Sequence, residues 1–292
     1  MPQPFGPTVK FTLSLSRPWL RLGPGWAALA GALSTGQVEL NLPILLKLLS
    51  LWLLVDPILG MLWDLSVRQD LWREIARANL GPPTTFGLSL PYVKPDSLAG
   101  RFLLQLRRYQ AWWRETYWPE FGHKFAAFWS GSAIALLIGL FLAPAVFWLT
   151  LLAITLMILA GQSSPELTTP QGGRLQSLVQ FLLPWSMGAV LWSPLSLISL
   201  LLAICYWITY LGGLRMLGNH HRAETLFFLG QIAAIALLLG LRLLPGAAIL
   251  SVLLVTQRII KAKFNLSSEF LQKTQTYLVI VVIAAGFSLG SL

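Results

Sequence analysis

Long apolar stretches, each closed by a short polar or proline-containing break, recur along this 292-residue chain. About 20 consecutive apolar residues are enough for a helix to cross the hydrocarbon core of a bilayer. The pattern predicts spans over 20–37, 42–65, 125–142, 144–160, 178–195, 195–212, 225–241, 244–259 and 276–292. The first is the most dilute, because Arg21 and several glycines interrupt it. The stretches 125–160 and 178–212 are almost continuous. Pro144 divides one and Trp192-Ser193-Pro194 the other, since proline lacks the N–H that a helix needs and clashes with the preceding turn. The predicted fold class is all-α, with nine transmembrane helices in one membrane domain covering 1–292.

The charges give this count a direction. The chain carries 21 Lys and Arg against 11 Asp and Glu. With nine spans and the N-terminus inside, nineteen of those 21 basic residues fall in or beside the inner segments, and only Lys47 and Arg242 fall outside. Basic residues accumulate on the cytoplasmic side of membrane proteins, so the expected topology is N-in and C-out. One span more or fewer would scramble the asymmetry.

The segment 66–124 is the one large element between spans. Its first part continues span two as a polar helix that stops near Asn79-Leu80-Gly81-Pro82-Pro83. Its second part, 97–118, mixes Arg101, Arg107, Arg108 and Arg114 with Phe102, Leu103, Leu106, Trp112, Trp113, Tyr117 and Trp118. Such a mixture suits either a helix in the headgroup plane or a lid packed on the inner face of the bundle. Gly286-Phe287-Ser288-Leu289-Gly290 has the spacing of a close helix–helix contact.

Composition narrows the class further. A chain that is 55% hydrophobic and 11% charged is not a soluble domain. Its net charge of +10 is accounted for by juxtamembrane residues facing anionic lipid, with no nucleic-acid partner. The first 19 residues lack a compact apolar core followed by a cleavage site, so no cleaved signal peptide is expected. The single cysteine, Cys205, lies in an apolar run and reads as a small core residue. The 13 tryptophans suit interface belts and cavity lining. The expected location is a membrane crossed many times, the inner membrane in a bacterium.

Ionisable groups inside a membrane domain are the natural candidates for chemistry. Asp56 lies deep in span two and is followed by Pro57, and Asp64 lies two turns further on. Ser66, Asp70 and Glu74 then recur every four residues, which stacks them on one helix face, with Arg73 and Arg77 beside them. Carboxylates so placed at the mouth of a bundle can hold Mg²⁺, and through it a diphosphate. The same residues can equally form a solvated face with Asp70–Arg73 and Glu74–Arg77 pairs. A second polar stretch, Arg215 to Leu226, follows span six and contains Asn219, His220, His221, Arg222 and Glu224.

Nine spans, an inner N-terminus and a carboxylate helix after span two resemble the UbiA superfamily of intramembrane prenyltransferases. The opening stretch, Ser16-Arg17-Pro18-Trp19 through Gly25-Trp26-Ala27 to Ser34-Thr35-Gly36, is similar to the start of the chlorophyll and bacteriochlorophyll synthase branch. The resemblance implies a nine-helix bundle that binds an isoprenoid diphosphate through Mg²⁺ and two Asp-rich motifs, and transfers the prenyl group to an acceptor. The first motif falls on Ser66, Asp70 and Glu74, with Ser in place of Asn and Glu in place of one Asp. The second falls on Arg215 and Asn219, where both Asp positions are lost.

The resemblance therefore implies Asp70, Glu74 and Asp64 as metal ligands, with Asp70 and Glu74 catalytic. It places Arg215, Arg222, Arg73 and Asn219 on the diphosphate. An arginine can grip phosphate directly but cannot replace a carboxylate that carries a metal. The expected function is a UbiA-like protein that has lost transfer. It would bind an isoprenoid, quinone or pigment tail, or serve as a subunit of a membrane complex. The alternatives are an active prenyltransferase using Mg²⁺, and a transporter using Asp56.

Overall fold

The computed structural model describes residues 23–39, 41–68, 71–76, 97–163, 170–218, 220, 222–264 and 267–292, and among these there is no strand. Ten helices follow one another: α1 (Pro24–Leu33), α2 (Leu42–Val67), α3 (Leu71–Ala76), α4 (Leu98–Leu142), α5 (Pro144–Ser163), α6 (170–190), α7 (Leu197–Leu217), α8 (Ala223–Gly240), α9 (Leu244–Lys263) and α10 (Ser267–Gly290). Seven of them, α2, α4, α5 and α7 to α10, are long and apolar enough to cross a membrane. Their outward faces carry large apolar side chains: Phe141 is 88% exposed, Trp148 65% and Val252 66%. Soluble monomers rarely expose contiguous apolar surface on this scale, and lipid tails cover it without cost. The bundle is consistent with a multi-pass membrane protein.

The two remaining expected spans meet different helices. α1 has ten residues, about 15 Å at 1.5 Å per residue, and the part of the first span before residue 23 lies outside the described residues. α6 is long but carries Arg174, Gln176 and Gln180 in its first half. Both breaks expected from proline are present. Ala143 is extended between α4 and α5, and residues 191–196 separate α6 from α7. The helix starts are locally encoded. Asn41, Ser97 and Ser196 accept hydrogen bonds at 3.0–3.1 Å from the amides of Ile44, Gly100 and Ser199, capping α2, α4 and α7.

Three prolines survive inside otherwise continuous helices because π turns absorb them. Pro57 lies within the π turn Leu54–Ile58 of α2. Pro119 follows the π turn Trp113–Tyr117 of α4, and Pro184 follows Leu178–Leu182 of α6. Each proline lacks an N–H, and a locally widened turn relieves the broken ladder. As a result 97–118 runs on without a break into the apolar helix that follows. It is the first part of the 45-residue α4, about 68 Å long against a hydrocarbon core of about 30 Å.

The core has two lobes that share a wall. One lobe joins α1, α6, α7, α8, α9 and α10 around Phe181, Trp185, Tyr206, Phe227 and Phe270. The other joins α2 to α5 around Trp63, Trp72, Tyr117 and Phe128. α1 and α6 contribute to both: Ala27 and Trp185 face the first lobe, Ala28 and Met187 the second. The shared wall is built by glycine. Gly31 abuts the Trp185 carbonyl, Gly188 the Ala28 carbonyl, Gly286 the Ala30 carbonyl and Gly290 the Leu33 carbonyl. The expected glycine pair of the last span is thus a close contact of α10 with α1.

Candidate functional site: the basic end of the bundle

The short connections between antiparallel helices sort the charges onto two ends. Ser34 touches Ser199, Lys47 lies over the Trp192 ring and Gly36 abuts Gly290, which places these residues at one end. At the other end Glu224 meets Arg258, Lys261 lies over the Phe270 ring and Gly161 abuts Ser66 and Trp72. This second end carries Arg73, Arg114, Lys124, Arg174, Arg215, Arg222, Arg258, Lys261, Lys263 and Lys273. Among the described residues, Lys47 and Arg242 are the basic residues of the opposite end.

The expected metal ligands are divided. Asp64 opens the π turn Asp64–Arg68 and is half-buried. Two residues on, the Ser66 hydroxyl donates to the Met157 carbonyl of α5 at 2.6 Å, fully buried. Ser66 therefore ties α2 to α5. Asp70 lies outside the described residues, and so does the Glu74 side chain, although Glu74 belongs to α3. Arg73 is half-buried on the same helix. α3 itself is firmly seated: Leu71 and Trp72 are buried, Tyr117 donates to the Leu71 carbonyl at 3.2 Å, and Trp72 meets the Phe128 ring edge-on at 5.1 Å. The aromatics of 112–129 pack as a collar around it, with Trp113 stacked on Tyr117 at 4.6 Å.

The second expected motif is reshaped. α7 runs to Leu217, five residues beyond the expected end of span six, so Arg215 sits half-buried on its last turn and not in a loop. Only residues 218–222 connect it to α8. The His220 amide donates to the Arg215 carbonyl at 3.1 Å. Arg222 takes a left-handed backbone, φ 64°, where the chain turns into α8. Asn219 and His221 lie outside the described residues.

Arg222 also lines an open groove of about 350 Å³ between α8 and α9, together with Glu224, Phe228, Leu229, Ile232 and Arg258. The Arg258 guanidinium lies 3.7 Å over the Phe228 ring and touches Glu224 at 3.4 Å. Leu229 and Ile232 are half-exposed, so the groove opens outward from the bundle.

Two of the three expected Mg²⁺ ligands, Asp70 and the Glu74 side chain, lie outside the described residues. Asp64 is the one expected ligand whose side chain is described, and the Ser66 hydroxyl is committed to α5. Among the described residues, no three His, Cys, Asp or Glu side chains gather as metal ligands.

The sequence did not single out the polar seam in the bundle interior. Between α6 and α7, the Trp207 indole donates to Ser177 at 2.8 Å, while Tyr210 and Gln176 both donate to the Gln180 side-chain carbonyl at 3.0 and 3.1 Å. Gln180 lies in the π turn Leu178–Leu182, and the Phe181 ring stacks on Tyr210. Further into the bundle Ser34 and Trp185 meet at the Ser199 hydroxyl, at 2.7 and 3.1 Å. Between α8 and α9, Gln231 donates to Gln257 at 3.0 Å, leaving the Gln231 Oε1 and Gln257 Nε2 buried without partners. The available signal was a glutamine inside an apolar run, which is costly there unless it meets another polar group.

The fold defines a class, an all-helical chain with seven helices suited to crossing a membrane and a basic end. Comparison with protein-family models, with curated proteins and with solved structures found no match to this chain.

Proposed function

We propose that this chain is a UbiA-like membrane protein that holds an isoprenoid, quinone or pigment tail, alone or as a subunit of a membrane complex, and does not transfer a prenyl group. In this reading nine segments lie in the membrane, the seven long helices together with α1 and α6. The basic end faces the cytoplasm, as the positive-inside rule requires. The observation that carries the reading is Arg215, half-buried on the last turn of α7, where prenyl transfer needs a carboxylate. A guanidinium binds a phosphate oxygen directly and holds it. It does not supply the metal charge that draws a diphosphate away from its allylic carbon. Arg215 binds and retains; it does not activate.

Organic extraction of the protein purified in mild detergent, followed by mass spectrometry, tests the reading. The expected result is a prenyl-tailed lipid in fixed ratio to the chain. An extract holding bulk phospholipid alone contradicts it.

Two specific observations favour other readings. Asp64 lies at the basic end, as a metal ligand for an active prenyltransferase would. Asp56 lies with Pro57 in a π turn within α2, a placement that suits an ion-coupling residue of a transporter. Turnover abolished by Asp64→Ala separates the first, and ion-coupled flux abolished by Asp56→Asn the second.

A further inference from the structure

We propose that the groove between α8 and α9 is a site for one anionic phospholipid, its phosphate held by Arg222 and Arg258 and an acyl chain lying along Leu229 and Ile232. This site does not depend on the isoprenoid reading, which rests on Arg215; it takes Arg222, expected on the diphosphate, into the outward groove instead. The groove is amphipathic along the helix axis. Arg222, Glu224 and Arg258 stand at the basic end, and the apolar floor descends one and two turns into the surface that faces lipid. Such layering matches a molecule with a charged head and an apolar tail. A soluble phosphate would leave the floor uncovered.

The guanidinium of Arg258 is set for this role. It lies 3.7 Å over the Phe228 ring, which holds it in place, and its contact with Glu224 is single and long, at 3.4 Å. An arginine has five N–H donors in a rigid fork suited to phosphate, and the Arg258 side chain is 55% exposed. Arg222 supplies a second, exposed guanidinium at the start of α8. Two arginines against one glutamate leave the groove with one net positive charge. That balance favours a phosphodiester bearing one negative charge over a zwitterionic headgroup. Basic residues at a membrane surface attract anionic lipid in general, but the stacked arginine and the apolar floor give this site a fixed shape.

Native mass spectrometry of the full chain in detergent tests the proposal, with phosphatidylglycerol and phosphatidylcholine of identical acyl chains supplied in equal amounts. The expected result is one phosphatidylglycerol retained per chain in preference to phosphatidylcholine. Retention falls about tenfold or more in the Arg222→Gln/Arg258→Gln double variant, as loss of charge-assisted phosphate contacts requires. It rises in Glu224→Gln, which removes the competing carboxylate and keeps both arginines. Lys263→Gln, an exposed charge at the same end outside the groove, leaves retention unchanged. Equal retention of the two lipids overturns the proposal, and so does an equal loss in Lys263→Gln. Displacement of the lipid by millimolar inorganic phosphate reassigns the arginines to a free anion and overturns it as well. If the double variant does not fold, the gain in Glu224→Gln decides.

Discussion

Gly188 of α6 lies against the backbone carbonyl of Ala28 in α1, so near that a methyl group on residue 188 would overlap it. The contact explains how a ten-residue helix can stand at the centre of the bundle. α1 is too short to be held by its own length. It is gripped on one side by Gly188 and on another by Gly286 and Gly290 of α10, with backbone in contact with backbone. In lipid there is little hydrophobic drive between helices, so association rests on close packing of this kind.

Gly188→Ala is accordingly expected to destabilise the protein by about 1–3 kcal/mol, the usual cost of overpacking a closed contact. Gly60→Ala is the control, because nothing lies within 4 Å of a side chain added there. Thermal unfolding in detergent, followed by circular dichroism, distinguishes the two. Equal stability of both variants contradicts the close-packing account.

Gln231 and Gln257 make one hydrogen bond where two amides could make two. Replacing either by Leu strands the other in an apolar interior and is expected to cost about 1–3 kcal/mol. Replacing both removes the stranded group and is expected to be near neutral or better. A double-mutant cycle on unfolding free energy measures this coupling. Additive losses would mean that the pair is not a pair.

The sidedness of the basic end is open to direct labelling. Cys205 is the only cysteine, so a single Cys205→Ser change gives a cysteine-free background. In sealed vesicles of known orientation, a thiol at Lys273→Cys is expected to react from the cytoplasmic side and one at Lys47→Cys from the opposite side. Both residues reacting from the same side contradicts the alternation of helices across the membrane.

Some of this architecture was legible in the chain and some was not, for physical reasons. The breaks at Pro144 and at 191–196 were readable because proline acts locally. The collection of arginines and lysines at one end was readable because alternation of spans is a one-dimensional rule. The long reach of α4 was not, because a π turn lets the helix run on past Pro119 where a proline ordinarily marks a boundary. Nor was the partition of Arg215 and Arg222. They are seven residues apart in one polar stretch, yet one ends a helix and the other turns outward to a groove with Arg258, 36 residues further on. Which way a side chain faces depends on helix rotation, and only packing sets that.

The central claim, binding without transfer, is tested most directly by incubating the purified chain with a long-chain prenyl diphosphate and Mg²⁺ and measuring pyrophosphate release alongside ligand retention. The account predicts retained, intact prenyl diphosphate, weakened by Arg215→Gln, and no pyrophosphate above background. Pyrophosphate release or prenyl transfer that disappears in Asp70→Ala or Glu74→Ala would contradict it and make the protein an active prenyltransferase.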